Sequence, residues 1–289
     1  MKKKYNIFIL LSFLFVISWV LPGFLATSNA AKTADLTEVP ILFVDDDDGE
    51  SYDYYFTDIM DDLGLNYTYT DTRPDAIEMG EYAIVIWHTG DYYGSETPSE
   101  WATDELSLIF FLQNGGRLFL SSQDWLYDQG LSTFVVNYLG VASVSNDWFG
   151  SGGAGEDCPD ILSGTAGDPI GGTFSPFNTS FPSSYEQYGD YILPTSFAHK
   201  IFYNATLPSK NATAIRNENS DYNFKTVFFS VPFEAHNLNR TQLMINIISW
   251  LIIDPSSGIP GFELDFLSFG LFAIGLLYYI RFRSPRKFK

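Results

Sequence analysis

Residues 38–254 alternate between short, uninterrupted apolar runs and stretches of helical spacing. Val39 to Val44 is apolar and runs into Asp45-Asp46-Asp47-Asp48-Gly49. Such a run, closed by turn residues, predicts a strand buried on both faces. From Ser51 to Leu63 the spacing of Tyr55, Ile59, Met60 and Leu63 predicts a helix, with Gly64 placed to end it. Asn66–Thr70 alternates as a second strand, and Tyr82–Trp87 is a third buried one. Ser99–Gln113 predicts a helix capped by Ser99, with Trp101, Leu106, Ile109, Phe110 and Leu112 as its apolar face and Gly115-Gly116 as its stop. Arg117–Leu120 is a fourth strand, and Leu131–Leu139 a short helix. Residues 142–220 are rich in Gly, Ser, Asn, Pro and Thr and predict an irregular insertion of loops and short strands, Tyr191–Leu193 among them. Thr226–Ser230 returns to strand. Asn239–Ile253 predicts a closing amphipathic helix with Leu243, Ile247 and Trp250 inward. Strands alternating with helices at these spacings predict βαβ units: an α/β domain with a mostly parallel central sheet and helices on both faces.

The two ends follow a different pattern. Lys2, Lys3 and Lys4 precede the apolar Ile7–Val20, and Ser28-Asn29-Ala30 offers small residues, so residues 1–30 predict a signal peptide. Residues 255–261 form a linker. Residues 262–282 predict a transmembrane anchor: no charge interrupts Phe266–Ile280, and Tyr278 and Tyr279 sit where interfacial aromatics belong. The basic tail at 283–289 predicts a cytoplasmic C-terminus and an ectodomain outside the cell. Ile259-Pro260-Gly261-Phe262-Glu263, one apolar stretch and a basic tail together resemble the C-terminal sorting signals of archaeal surface proteins. That resemblance implies a cell-surface protein cut near Pro260 and transferred to lipid; a plain helical anchor is the alternative.

Charge sharpens this picture. The chain of 289 residues carries a formal net charge of −19. The two ends hold half of the basic residues and none of the acidic ones, so the middle is more acidic still. Such a surface repels phosphate backbones and excludes nucleic acid as a partner. Cys158 is the single cysteine, so no disulfide forms within the chain. Sequons at Asn66, Asn178, Asn204, Asn211 and Asn239 predict a glycosylated ectodomain.

A family resemblance rests on four stretches. They are Ile41–Gly49, Tyr82–Gly90 (Tyr82-Ala83-Ile84-Val85-Ile86-Trp87-His88-Thr89-Gly90), Phe111–Asp124 with its Gly115-Gly116-Arg117 strand start and Ser121-Ser122-Gln123-Asp124 end, and Phe229–Glu234. With Trp250-Leu251 closing the last helix, the order over residues 38–254 resembles the glutamine-amidotransferase-like, flavodoxin-like domains of secreted proteins. The resemblance implies a central parallel sheet flanked by helices. In active members a Cys nucleophile stands on a tight turn after the strand that here ends at Leu120, and a His and a Glu late in the chain serve it. This sequence has Ser121 and Ser122 at that turn, which implies a degenerate site.

Ligands of such sheets bind beyond the carboxyl ends of the strands. That edge collects Asp45, Asp46, His88, Thr89, Gln123 and Asp124 as ligand-binding candidates. A Ser122–His236–Glu234 triad can be drawn, because a serine needs a base and the base an orienting acid. Asp45, Asp46 and Asp48 are candidate ligands for Ca²⁺ or Mg²⁺, which prefer oxygen. Consecutive residues of an extended chain point opposite ways, so the four aspartates do not all reach one ion. A phospho-receiver domain shares the first strand but needs an Asp at the end of the third, where this chain has His88. The expected function is a membrane-anchored, non-catalytic module that binds an extracellular ligand or protein. An extracellular hydrolase built on Ser122 is the alternative.

Overall fold

The computed structural model describes residues 35–90, 98–145, 160–183, 188–206 and 212–253. The expected signal peptide, anchor and basic tail, Cys158, Asn211 and the aromatic pairs Tyr92-Tyr93 and Trp148-Phe149 lie outside the described residues. Among the described residues no helix is long and apolar enough to cross a membrane.

Among the described residues a 3-10 turn at Leu36–Glu38 leads into β1 (Ile41–Asp45), α1 (Tyr54–Asp62), β2 (Tyr67–Thr70), α2 (Ala76–Met79), β3 (Ile84–His88), α3 (Pro98–Gln113), β4 (Arg117–Ser121) and α4 (Trp125–Gln129). A π-helical turn at Val135–Leu139 leads into β5 (Val141–Ser145), β6 (Ile161–Gly164), β7 (Phe177–Asn178), β8 (Tyr191–Pro194), β9 (His199–Asn204) and β10 (Ala212–Asn219). β11 (Phe224–Phe229) and α5 (Arg240–Ile252) complete the domain.

The eleven strands form one sheet, with the path β2-β1-β3-β4-β11-β10-β9-β6-β7 and β5 joined through β8 to β10. The first five strands of this path are parallel to one another. From β11 onward every pairing is antiparallel. The sheet is therefore mixed, with a parallel core, rather than mostly parallel. The difference lies in residues 142–220: their turn-rich composition hides six strands whose hairpin-type pairing needs no crossover helix.

Burial explains the parallel half. Every residue of β1, β3 and β11 is buried, because helices cover both faces of these strands. Side chains alternate between the two layers with the period of the pleat. One layer joins Leu42, Val85, Trp87, Leu118 and Phe228 to Leu108, Phe111 and Leu112 of α3 and to Trp125 of α4. The other joins Phe43, Ile86, Phe119, Val227 and Phe229 to Phe56 and Met60 of α1 and to Leu243 and Ile247 of α5. Gly64 stops α1 with φ +64°, a left-handed conformation that glycine adopts without strain. Asn239 caps α5 by accepting from Gln242 N–H at 3.1 Å.

Two local expectations are corrected. The buried face of α3 runs through Asp104, Glu105, Leu108, Phe111 and Leu112, whereas Leu106 and Phe110 are more than half exposed. Its second half, Leu108–Leu112, is an unbroken apolar run, and two acidic residues of the first half are buried, so its period did not separate inside from outside. The helix expected at 131–139 is reduced to the π turn, and α4 precedes it. Ser122 Oγ accepts from Trp125 N–H at 3.0 Å and holds the start of α4.

At the other end of the sheet, two cations close the C-terminus of α5. Arg117 Nε donates to Leu251 O at 3.0 Å, and the buried Lys225 Nζ donates to Trp250 O at 2.8 Å and also to Ile253 O. They are register partners on β4 and β11. Both complement the negative end of the helix dipole and satisfy carbonyls that have no intrahelical donor.

Candidate functional site

The chain order of the parallel strands reverses at β1: one crossover leads out to β2, the next to β3 on the opposite side. The carboxyl ends of β1 and β3 flank that switch point, where open α/β sheets leave a crevice. Register fixes what stands there. Asp45 pairs with His88, His88 with Ser121, and Ser121 with Phe229. Register partners in a parallel sheet share a face, so Asp45 and His88 project on the side covered by α1 and α5.

His88 is fully buried, with its ring 4.8 Å from that of Phe56. Burial drives its pKa down to about 3, which keeps the imidazole neutral. Its Nδ1 lies 3.7 Å from Glu234 Oε1 and 3.4 Å from Gly90 N. Tyr69 donates its hydroxyl to Asp45 Oδ2 at 2.5 Å. Burial raises the pKa of Asp45, and the Tyr69 bond opposes that rise. Asp47 Oδ1 accepts from Gly49 N–H at 3.0 Å. Burial, and then the neighbouring Asp45 carboxylate, push Asp47 up to about 7.

Ligand atoms of Asp45, Asp47 and His88 all lie within 4.8 Å of one another, and all three residues are buried. Beside them, at the end of β1, is a cavity of about 550 Å³ lined by Asp45–Asp48, Asp53, Tyr69, Asp71 and Arg73. Its carboxylate lining favours cations over anions.

The other aspartates of the run behave differently. Asp46 turns to the opposite side, where its carboxylate accepts from Arg73 Nε at 2.9 Å and Trp87 Nε1 at 3.0 Å. Arg73 reaches on to Asp104 at 3.3 Å, so Asp46 belongs to an ion-pair network that ties the turn to α3. Asp48 is exposed and takes a positive φ of 59°. Of the expected metal set, geometry groups Asp45 with Asp47 and His88 rather than with Asp46 and Asp48. Thr89 is buried, and its N–H donates to Ser121 O at 3.2 Å. Gln123 and Asp124 are buried at the start of α4.

The three groups of the expected triad take separate places. Ser122 Oγ holds Trp125 N–H, and Ser121 Oγ accepts from Phe233 N–H at 2.9 Å. His236 Nδ1 lies 2.9 Å from Pro232 O, inside a cage formed by the rings of Phe177, Phe202 and Phe229. The hydrogen bonds of Ser122 and His236 do not join them, and the histidine beside Glu234 is His88.

Of the sequons, Asn66, Asn178 and Asn239 are exposed. Asn204 is buried, donates Nδ2 to the Tyr191 hydroxyl at 2.8 Å and accepts from Thr206 N–H at 2.8 Å. Asp47, Tyr69 and the pairing of Glu234 with His88 were not foreseen. Period-two alternation in the aspartate run carried a signal for Asp47, since it places Asp45 and Asp47 on one side. Nothing local marks the other two, which come from β2 and from a turn after β11.

The described residues thus form an α/β fold with a mixed sheet and parallel core strands. The chain is similar in structure to a Thermoplasma acidophilum protein proposed to belong to GMP synthase, with 13% identity and a TM-score of 0.48 over 73% of this chain and 92% of that one. It is also similar to PurLQS from Thermotoga maritima, with 14% identity and a TM-score of 0.46 over 74% of this chain and 99% of that one. No protein-family model and no curated protein matches the sequence.

Proposed function

We propose that this chain is a cell-surface module of glutamine-amidotransferase-like type, held by its C-terminal apolar helix, that binds an extracellular ligand or partner without turning it over. One observation carries the non-catalytic part: neither serine of the turn after β4 is hydrogen-bonded to a histidine, Ser121 Oγ accepting from Phe233 N–H and Ser122 Oγ from Trp125 N–H. A nucleophilic serine needs its hydroxyl proton directed at a base. The binding surface in this reading is the acidic crevice beyond β1 and β3. The placement outside the cell rests on the sequence pattern of residues 1–30 and 262–289.

A second reading, an extracellular hydrolase using Ser122 with His236 and Glu234, has one observation on its side. Glu234 does approach a histidine at the sheet edge, although that residue is His88, at 3.7 Å. Purified full-length protein and its Ser122→Ala variant, assayed for glutamine hydrolysis and against a panel of p-nitrophenyl esters, separate the two. The binding reading expects no turnover by either protein. Turnover by the parent that vanishes in Ser122→Ala would establish the hydrolase instead.

A further inference from the structure

Three side chains at the β1–β3 edge share one arrangement. Each is anchored through one polar atom and presents a second that has no hydrogen-bond partner. Asp45 is held through Oδ2 by the Tyr69 hydroxyl, and its Oδ1 is buried and unpartnered. Asp47 is held through Oδ1 by Gly49 N–H, and its Oδ2 is buried and unpartnered. His88 turns Nδ1 toward Glu234 Oε1 at 3.7 Å, and its Nε2 is buried and unpartnered; ligation uses the tautomer with the proton on Nδ1, directed at Glu234, which leaves the Nε2 lone pair free. Buried polar atoms without partners are uncommon, since each forfeits its hydration. Here three of them belong to residues whose ligand atoms all lie within 4.8 Å of one another.

Two carboxylates brought this close in a buried place repel each other, and a neutral imidazole beside them offers no positive charge to offset that. A divalent cation would remove the repulsion and give all three atoms a partner. The rest of the arrangement matches the outer shell of a metal centre, in which each ligand is oriented by a further hydrogen bond and a ligating histidine turns its other nitrogen to a carboxylate. Tyr69, Gly49 and Glu234 occupy those positions.

We propose that Asp45 Oδ1, Asp47 Oδ2 and His88 Nε2 form a binding site for a first-row divalent transition ion, with Glu234 as the positioning residue behind His88. The inference rests on the binding-module reading and gives its crevice a ligand. The donor set selects the ion class. Imidazole nitrogen suits zinc, copper, iron or nickel, whereas Ca²⁺ takes six to eight oxygens and Mg²⁺ keeps several of its waters. Three protein donors leave at least one coordination position for a group entering from the acidic cavity. Ligation at tetrahedral Zn²⁺ bond lengths puts donors about 3.3 Å apart, so the three side chains close inward by roughly an ångström on loading.

The experiment uses the purified full-length chain, stripped with a chelator and titrated with ZnCl₂ by calorimetry, with elemental analysis of the desalted protein. Variants are Asp47→Asn, His88→Gln, Glu234→Gln and Asp58→Asn. The expected result is one zinc per chain, not displaced by millimolar Ca²⁺. Affinity falls by a hundredfold or more in Asp47→Asn and His88→Gln, and by about 10–100-fold in Glu234→Gln. Asp58→Asn, on an exposed carboxylate of α1 outside the cavity, binds as the parent does. Near-UV circular dichroism of Asp47→Asn, whose amide oxygen still accepts from Gly49, separates a lost ligand from a lost fold. Parent protein that takes up no stoichiometric zinc overturns the site. So does an equal loss in Asp58→Asn and Asp47→Asn, which would mean diffuse attraction to an acidic surface. The two readings fail separately. Zinc uptake accompanied by hydrolytic turnover would keep the site and end the non-catalytic reading, and inert protein that binds no zinc would do the reverse.

Discussion

Replacing Lys225 by Met should destabilise the domain by about 3 kcal/mol, and the reasoning runs through the last turn of α5. Lys225 stands on the central strand β11, buried, with its ammonium donating to Trp250 O at 2.8 Å and to Ile253 O. It also lies 4.8 Å from the centroid of the Trp250 ring. Methionine keeps the length and apolar stem of the side chain and deletes only the donor. Charge-assisted hydrogen bonds of this kind contribute about 1.5–3 kcal/mol each, and the carbonyls left behind stay unsatisfied in a place water reaches poorly. The contact with Trp250 and the helix dipole add about 1 kcal/mol. Those bond values are already net of the ammonium's dehydration, and two bonds at the low end of the range, sharing one ammonium, put the loss near about 3 kcal/mol. For a domain of this size that corresponds to a fall in Tm of roughly 6–12 °C. Urea unfolding of the full-length chain, followed by far-UV circular dichroism, measures it, with an unchanged m-value as the sign that only stability moved. A loss under about 0.5 kcal/mol, or a gain, would show that the ammonium's dehydration cancels its bonds, and the closure of α5 by buried cations would lose its energetic meaning.

Single contacts elsewhere carry three more expected outcomes. Burial holds the His236 pKa down at about 4, so the folded state favours the neutral ring; stability is intact above the ordinary value of 6.5 and declines as pH falls from 6.5 to 4. The decline amounts to about 3 kcal/mol, and urea midpoints measured across that window should flatten by about that amount in His236→Phe. Gly164→Ala should lose at least 3 kcal/mol or fail to fold, because its methyl would stand 1.9 Å from Gly171 O, a backbone atom that cannot swing away. Thermal unfolding checks it, and a Tm within 2 °C of the parent refutes the close approach. Asn204 should stay bare of glycan while Asn66 and Asn178 are modified, because its Nδ2 is buried on the Tyr191 hydroxyl. Mass spectrometry of chymotryptic peptides from protein made in a glycosylating host reads each sequon separately.

The parallel half of the fold was legible because its strands are buried on both faces. Ile41–Val44, Ile84–Trp87 and Val227–Phe229 are wholly apolar, and sequence alone delimits their strands to within a residue or two. The antiparallel half was not. β9 and β10 are built from runs such as His199-Lys200-Ile201-Phe202 and Ala212-Thr213-Ala214-Ile215-Arg216-Asn217, whose polar members sit among Gly- and Asn-rich turns. What makes them strands is pairing with distant chain, a tertiary effect that local propensity does not record. At the candidate site, alternation divided the aspartates into two sides, and the structure follows that division: Asp45 and Asp47 inward, Asp46 toward Arg73. Asp45 meets His88 only through the register of β1 on β3, and Glu234 meets His88 only because β11 pairs with β4. No spacing along the chain encodes either meeting. The serine turn shows the converse: an order of Ser, Glu and His in sequence encodes no meeting of side chains, and here Ser122 and His236 have backbone partners while Glu234 approaches His88.

The insertion of β5–β10 between two strands that lie side by side also orders the events of folding. β4 is complete early in the chain, yet its outer neighbour β11 is not made until all six antiparallel strands have followed. During synthesis the apolar edge of β4 therefore stands open, a row of unpaired amides and carbonyls able to recruit another chain. Closing it requires one long loop to be drawn shut, the slowest kind of step for a sheet. The arrival of β11 seals that edge and, a few residues later, brings Glu234 up behind His88. Assembly of the β1–β3 edge is thus a late event, and nascent chains cut short before Phe224 should aggregate rather than persist as half-built domains.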